Sequence, residues 1–186
     1  PVFISLPGDI LNMEAAIDMG ESTRVDAATR PSDSALEHLA DRLAAARHPV
    51  IVAGHEIVAS DAFAEAAQLA EMLGAPVYQQ TVNDGAHFPS EHPAFMGSLN
   101  RNQAYVRDVL SPHDLVICLG SDLLRMSVYS PVDPLPADVA VVQIGQRDWE
   151  MGKNHAVELA LRADVKETVA ALLPVLAARG GQDLVD

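Results

Sequence analysis

His48-Pro49-Val50-Ile51-Val52-Ala53-Gly54 is the stretch whose reading decides the fold. Val50 to Ala53 are apolar at every position, follow a proline and stop at a glycine. Alternate side chains of a strand point to opposite faces, so such a run suits a strand buried on both sides. Helical patterns flank it. Leu36, Leu39, Ala40 and Leu43 share one face of a helix expected over 34–47, and Ala62, Ala66, Leu69 and Leu73 one face of a second over 61–73. Ser34 and Glu37 have capping-box spacing at the first helix, Ser60 is placed to cap the second, and Gly74 to stop it. Gly54 falls where the strand turns toward its next helix, the kind of turn at which open α/β sheets receive ligands.

Outward from this unit, Ala75 to Tyr78 reads as a second strand, Gln103 to Leu110 as a helix and Asp114 to Leu119 as a third strand ending at Gly120. Val139 to Ile144 reads as a fourth strand ending at Gly145, Val157 to Leu161 as a fifth, and Ala163 to Ala178 as a closing amphipathic helix. The stretches 79–102 and 121–138 are rich in turn formers and are expected to be irregular. Strands alternating with helices argue for a mostly parallel, Rossmann-like α/β sheet with right-handed connections and helices on both faces. Pro1 to Pro7 is strand-like and reads as the last strand of something upstream, and residues 7–31 read as a linker. The expected layout is thus 1–31 as the end of an upstream domain plus linker, 32–178 as the Rossmann-like domain, and 179–186 as a C-terminal linker.

With 49% hydrophobic and 20% charged residues in 186, the chain can bury a full core. Its formal net charge of −14 disfavours nucleic acid and anionic membrane surfaces. No apolar run reaches the ~18 residues of a membrane span. Cys118, the only cysteine, lies in an apolar strand and reads as a small buried hydrophobe. There is no glycine fingerprint for a dinucleotide, no P-loop, no H-E-x-x-H and no G-x-S-x-G.

Among the histidines, His38 and His48 read as surface residues, and His113 is placed to interact with a helix end. His87 and His92 share the long loop with Asn83, Asp84 and Glu91. His92 has two readings: it bonds its own loop, or it faces substrate, where imidazole can move a proton near neutral pH. Arg125 can anchor an anion or form a surface ion pair, and Trp149 can stack a base or cap the sheet edge.

Five segments in order resemble the thiamine-diphosphate-dependent enzymes. Pro1 to Pro7 resembles the closing strand of their pyrimidine-binding domain, and His48 to Gly54 the opening of their central domain. Phe88-Pro89-Ser90-Glu91-His92-Pro93-Ala94-Phe95-Met96-Gly97, Ser111 to Gly120, and Ile144 to Asn154 resemble later motifs of that central domain. Leu124 to Pro131 is most similar to the benzoylformate decarboxylase branch.

The resemblance implies a six-stranded Rossmann-like central domain of a 2-oxo acid decarboxylase or carboligase. It also implies thiamine diphosphate and Mg2+ bound by flanking pyrimidine- and diphosphate-binding domains of the same chain. Decarboxylation in that family uses the cofactor as electron sink, and the isolated domain is expected to be inactive. A cytoplasmic homodimer or homotetramer acting on a 2-oxo acid is implied likewise. His92 matches the histidine that the resemblance places in the active site, and is the one catalytic residue expected here; no cofactor or metal ligand is. Acetolactate synthase-like relatives suggest the alternative, a module that binds FAD or ADP. Against it, Gly54-His55-Glu56 replaces a multi-glycine turn, and His55 and Glu56 would crowd and repel a pyrophosphate.

Overall fold

A computed structural model of the chain describes residues 3–180 except 19, 24 and 27. Six strands form one all-parallel sheet in the order β3-β2-β1-β4-β5-β6. They are β1 (Pro49–Ala53), β2 (Val77–Gln79), β3 (Phe95–Ser98), β4 (Leu115–Leu119), β5 (Ala140–Gly145) and β6 (Leu159–Arg162). The helices are α1 (Gly8–Leu11), α2 (Asp33–Ala44), α3 (His55–Ala59), α4 (Phe63–Leu73), α5 (Gln103–Leu110) and α6 (Val165–Ala177).

The unbroken apolar runs have the expected cause. Every residue of β1 and β4 is buried. Ile51, Ala53, Leu115, Ile117 and Leu119 face the core closed by α2, α4 and α6. Val50, Val52, Val116 and Cys118 face the core closed by Val106 and Leu110 of α5. Helices therefore cover both faces, as expected. β1 and β4 pair residue for residue from Pro49 and Leu115 to Ala53 and Leu119. The Asp114 carboxylate fixes this register at the amino edge by accepting N–H bonds from Arg47 (2.8 Å) and His48 (3.0 Å).

Several local expectations are corrected. Ser32, not Ser34, caps α2, accepting from Ala35 N, while Glu37 pairs with Arg179 instead of closing a capping box. A short α3 follows Gly54 directly, and Ser60 closes its end by donating to Glu56 O at 2.7 Å rather than capping α4. Gly74 ends α4 as expected, with a φ of 59° that favours glycine. β3 lies inside the stretch expected to be irregular. It is an edge strand of four residues with Gly97 at φ 101° and a shifted register against β2, too short and polar to show a period.

Phe3 to Pro7 form no strand, since no strand of the described chain lies beside them; Pro1 and Val2 fall outside the described residues. Arg179, expected in the linker, clips α6 to α2 through Glu37 and Asp41. Residues 181–186 fall outside the described residues. Among the described residues no helix is long and apolar enough to cross a membrane.

Candidate functional site at the carboxyl edge of the sheet

In the strand order, the chain runs from β1 outward through β2 to β3, then returns to the other side of β1 for β4. The carboxyl ends of β1 and β4 are therefore the topological switch point, where an open α/β sheet has its crevice. Three strand-ending glycines meet there: Gly54 after β1, Gly120 after β4 and Gly145 at the end of β5. A Cβ on Gly54 would run into the Gly120 carbonyl and Ser121. Gly120 has φ 61°, and a Cβ there would lie 2.8 Å from Glu56 Cβ. A Cβ on Gly145 would lie 2.6 Å from Glu56 Oε2. The lack of side chains thus lets the strand ends approach, and the space between them is taken by Glu56.

Two residues beyond each of these glycines stands a charge: Glu56, Asp122 and Arg147. Glu56 Oε2 accepts the Gln146 N–H at 2.6 Å. Arg147 Nη1 lies 3.0 Å from both oxygens of Asp122, whose side chain is only 10% exposed, and Arg125 Nη1 lies 3.2 Å from Oδ2. Arg147 also reaches Glu150 (3.4 Å), which holds Lys153 at 3.3 Å. Gln80 Oε1 accepts from Asp122 N (3.2 Å), and Thr81 Oγ1 donates to Arg125 O (3.0 Å), so the loops after β2 and β4 are tied together. Between them lies an open basin of about 250 Å3, lined by His55, Gln80, Asn83, Asp84, Arg125 and Arg147 among others. The crevice beside Glu56 has only about 10 Å3 left.

The loop after β4 turns through Leu124, a buried residue at φ 46°. Left-handed backbone is unfavourable for leucine, and here it carries the chain into Met126, Val128 and Tyr129. Val128 and Tyr129 are exposed by 68% and 90%. His87 is buried. Its backbone N–H donates to Gln79 Oε1 at 2.7 Å, and its Nε2 lies 2.8 Å from Asp84 Oδ1. The hydrogen bond from His87 holds the Asp84 carboxyl below its usual value.

His92 lies elsewhere. It precedes β3, so in an all-parallel sheet it stands at the amino edge, opposite the crevice. Its Nδ1 accepts from Ala94 N (3.2 Å), its Nε2 lies 3.2 Å from Glu71 Oε1 at the end of α4, and its ring meets Phe88 edge-on at 5.2 Å. His55 lines the basin. Arg125 forms the expected ion pair, with Asp122, while its half-exposed side chain lines the basin. Trp149 is 76% exposed with Lys153 Nζ 5.1 Å from its ring centroid, so it does not cap the sheet edge. His38 and His48 are exposed as expected, while His113 bonds His48 O through Nδ1 (3.1 Å) and burial lowers its pKa. Burial of Cys118 pushes its thiol up to about 12.

Asp122 and Arg147 were not legible as a pair, although the charge two places beyond each strand-ending glycine is a signal that could have marked them. Among the described residues no three His, Cys, Asp or Glu side chains converge to hold a metal ion. The carboxylates at the crevice already hold an arginine or a backbone amide. These residues do not fit a metal-bound diphosphate.

The sequence model described as "Thiamine pyrophosphate enzyme, central domain" matches residues 36–172. The benzoylformate decarboxylase of Pseudomonas aeruginosa is 30% identical over 93% of this chain and 33% of its own length. The sulfoacetaldehyde acetyltransferase of Rhodobacter capsulatus is 31% identical over 97% of this chain and 31% of its own. A solved structure of the thiamine diphosphate-dependent 4-hydroxybenzoylformate decarboxylase of Rhodococcus jostii RHA1 superposes with a TM-score of 0.76. It is 30% identical, with 83% of this chain and 29% of that chain covered. The chain spans about a third of the length of these curated relatives.

Proposed function

Because this chain belongs to the thiamine pyrophosphate enzymes and is their central domain, we propose that it serves a thiamine-diphosphate-dependent 2-oxo acid decarboxylase or carboligase of the benzoylformate decarboxylase type. The match over residues 36–172, together with the benzoylformate decarboxylase likeness across nearly the whole chain, carries this reading. Thiamine diphosphate and Mg2+ are assigned to other domains of the same polypeptide, since the residues here do not fit them. The domain's own part is structural: a rigid parallel sheet whose edges pack those domains.

Residues 1–31 are read as the end of the upstream pyrimidine-binding domain plus linker. Phe3, Leu6, Ile10, Leu11, Met13 and Ile17 are all more than half exposed here. So many large apolar side chains on one short segment call for a covering surface. Residues 179–186 are read as leading toward the next domain. A cytoplasmic homodimer or homotetramer is part of the same proposal.

For His92 we favour a positioning role, locking the loop before β3 through Ala94, Glu71 and Phe88. The substrate-facing role expected from the resemblance requires another domain to bring substrate to the amino edge of the sheet. The FAD- or ADP-binding reading is disfavoured because Glu56 stands in the crevice.

The test is release of carbon dioxide from benzoylformate and related 2-oxo acids by the native-length protein, with and without thiamine diphosphate and Mg2+. Cofactor-dependent release is expected, with none from the 186-residue chain alone. Failure of the native-length protein on all 2-oxo acids would overturn the reading.

A further inference from the structure

Residues around the switch point suggest a ligand site, yet the space beside Gly120 and Gly145 is full, and what fills it is an anion. We propose that the Glu56 carboxylate is a resident internal ligand. It occupies the place between the ends of β1, β4 and β5 that a bound anion would otherwise take, and it ties the end of β1 to that of β5 without any cofactor.

Glu56 leaves the end of β1 on the first turn of α3, and its backbone N–H donates to Gly120 O at 3.1 Å. Its Cβ then passes over Gly120 and its carboxylate over Gly145, two positions where any side chain would collide with it. At its tip the carboxylate accepts the first backbone N–H beyond β5, that of Gln146, at 2.6 Å. This is a charge-assisted hydrogen bond of the kind that binds a ligand carboxylate or phosphate. Three strand ends are thereby joined through one residue, by its backbone to β4 and its carboxylate to β5, because β1, β4 and β5 are neighbours in the sheet. The cradle of two Cβ-less residues, Gly120 and Gly145, is shaped for a close approach, and Glu56 leaves about 10 Å3 of it. That is room for at most one water. Electrostatics act in the same direction, since a second anion entering beside Glu56 would meet like charge. The inference stands on this geometry alone and holds for whichever 2-oxo acid the intact protein takes.

Truncation to alanine removes a CH2–COO− group, the shape of acetate. The experiment therefore titrates the native-length Glu56→Ala variant with acetate, using chloride at matched ionic strength as control, and follows thermal unfolding. The variant is expected to melt lower than wild type and to regain stability saturably with acetate, while wild type does not respond. Glu56→Gln keeps the crevice filled and an oxygen facing Gln146 N–H, so it is expected to fold and to ignore acetate. An alanine variant as stable as wild type, or one that acetate does not rescue, overturns the proposal. So does a glutamine variant that takes acetate as alanine does. If the alanine variant does not fold, amide exchange at Gln146 in Glu56→Gln decides: faster exchange than wild type is expected, and an unchanged rate overturns the proposal. Loss of 2-oxo acid turnover without these changes would bear on the assigned activity and not on Glu56.

Discussion

Arg147 stands two residues beyond Gly145 and Asp122 two beyond Gly120, where neighbouring strands end, and one guanidinium nitrogen of Arg147 lies 3.0 Å from both carboxylate oxygens of Asp122. The pair bridges the turns after β5 and β4. Asp122 is nearly buried while Arg147 is 41% exposed, so the pair lies between the surface and interior limits. A double-mutant cycle with Asp122→Asn and Arg147→Met is expected to give a coupling of about 1–2 kcal/mol, discounted for the exposed arginine. Urea unfolding of the four proteins measures it. A coupling near zero would mean that Arg125 alone satisfies Asp122.

His92 offers a second measurement. Its ring joins two elements: the loop it lies on, through Ala94 and Phe88, and α4, through Glu71. His92→Ala is expected to cost about 1–2 kcal/mol through a lost backbone acceptor and a lost aromatic contact. Turnover of the native-length protein, assayed well below its melting temperature, is expected to change little. A large fall in kcat with an unchanged Tm would restore the catalytic role implied by the resemblance.

Asp114 makes acid stability depend on one carboxylate at the amino edge. Burial pushes its pKa up, but the N–H groups of Arg47 and His48 pull it below the usual value on balance. A lowered folded-state value means that the ionised form stabilises the fold. Its contribution is therefore present above the unfolded value, about 3.9, and lost as pH falls through the folded value. Asp114→Asn is expected to lose about 1–2 kcal/mol at neutral pH, and to narrow its deficit against wild type as the medium is acidified. Urea midpoints across the acid range check both parts; a deficit independent of pH would exclude the carboxylate as the cause.

Cys118 gives a prediction on the alkaline side. Its thiol is buried and pushed up to about 12. Above the unfolded thiol value, about 8.5, the unfolded chain holds fewer protons than the folded one. Stability from this group therefore declines as pH rises from there toward the folded value. In the native state Cys118 is expected to resist iodoacetamide at neutral pH and to react on addition of denaturant. Mass spectrometry of the labelled chain reads the outcome, and rapid labelling of the folded protein would show that β4 opens locally.

The amino-acid sequence alone determined the central strands and most helices. Strands buried on both faces must be apolar at every position, so Val50 to Ala53 and Leu115 to Leu119 declare themselves. Helices covering the sheet need one apolar face, as in α2, α4 and α6. The order of five modest motifs was enough to point to the family. Only the tertiary structure decided which loops meet. Glu56 and Gln146 are 90 residues apart, and Asp122 and Arg147 are 25 apart. Their bonds exist because parallel pairing puts the ends of β1, β4 and β5 side by side. Nothing local in the sequence encodes that proximity. The same holds for His92, whose neighbours suggested a site while the direction of β3 set it at the opposite edge. The edge strand β3 was hidden for a related reason: Phe95 to Ser98 is half exposed and broken by Gly97, and becomes a strand only because β2 offers it a ladder.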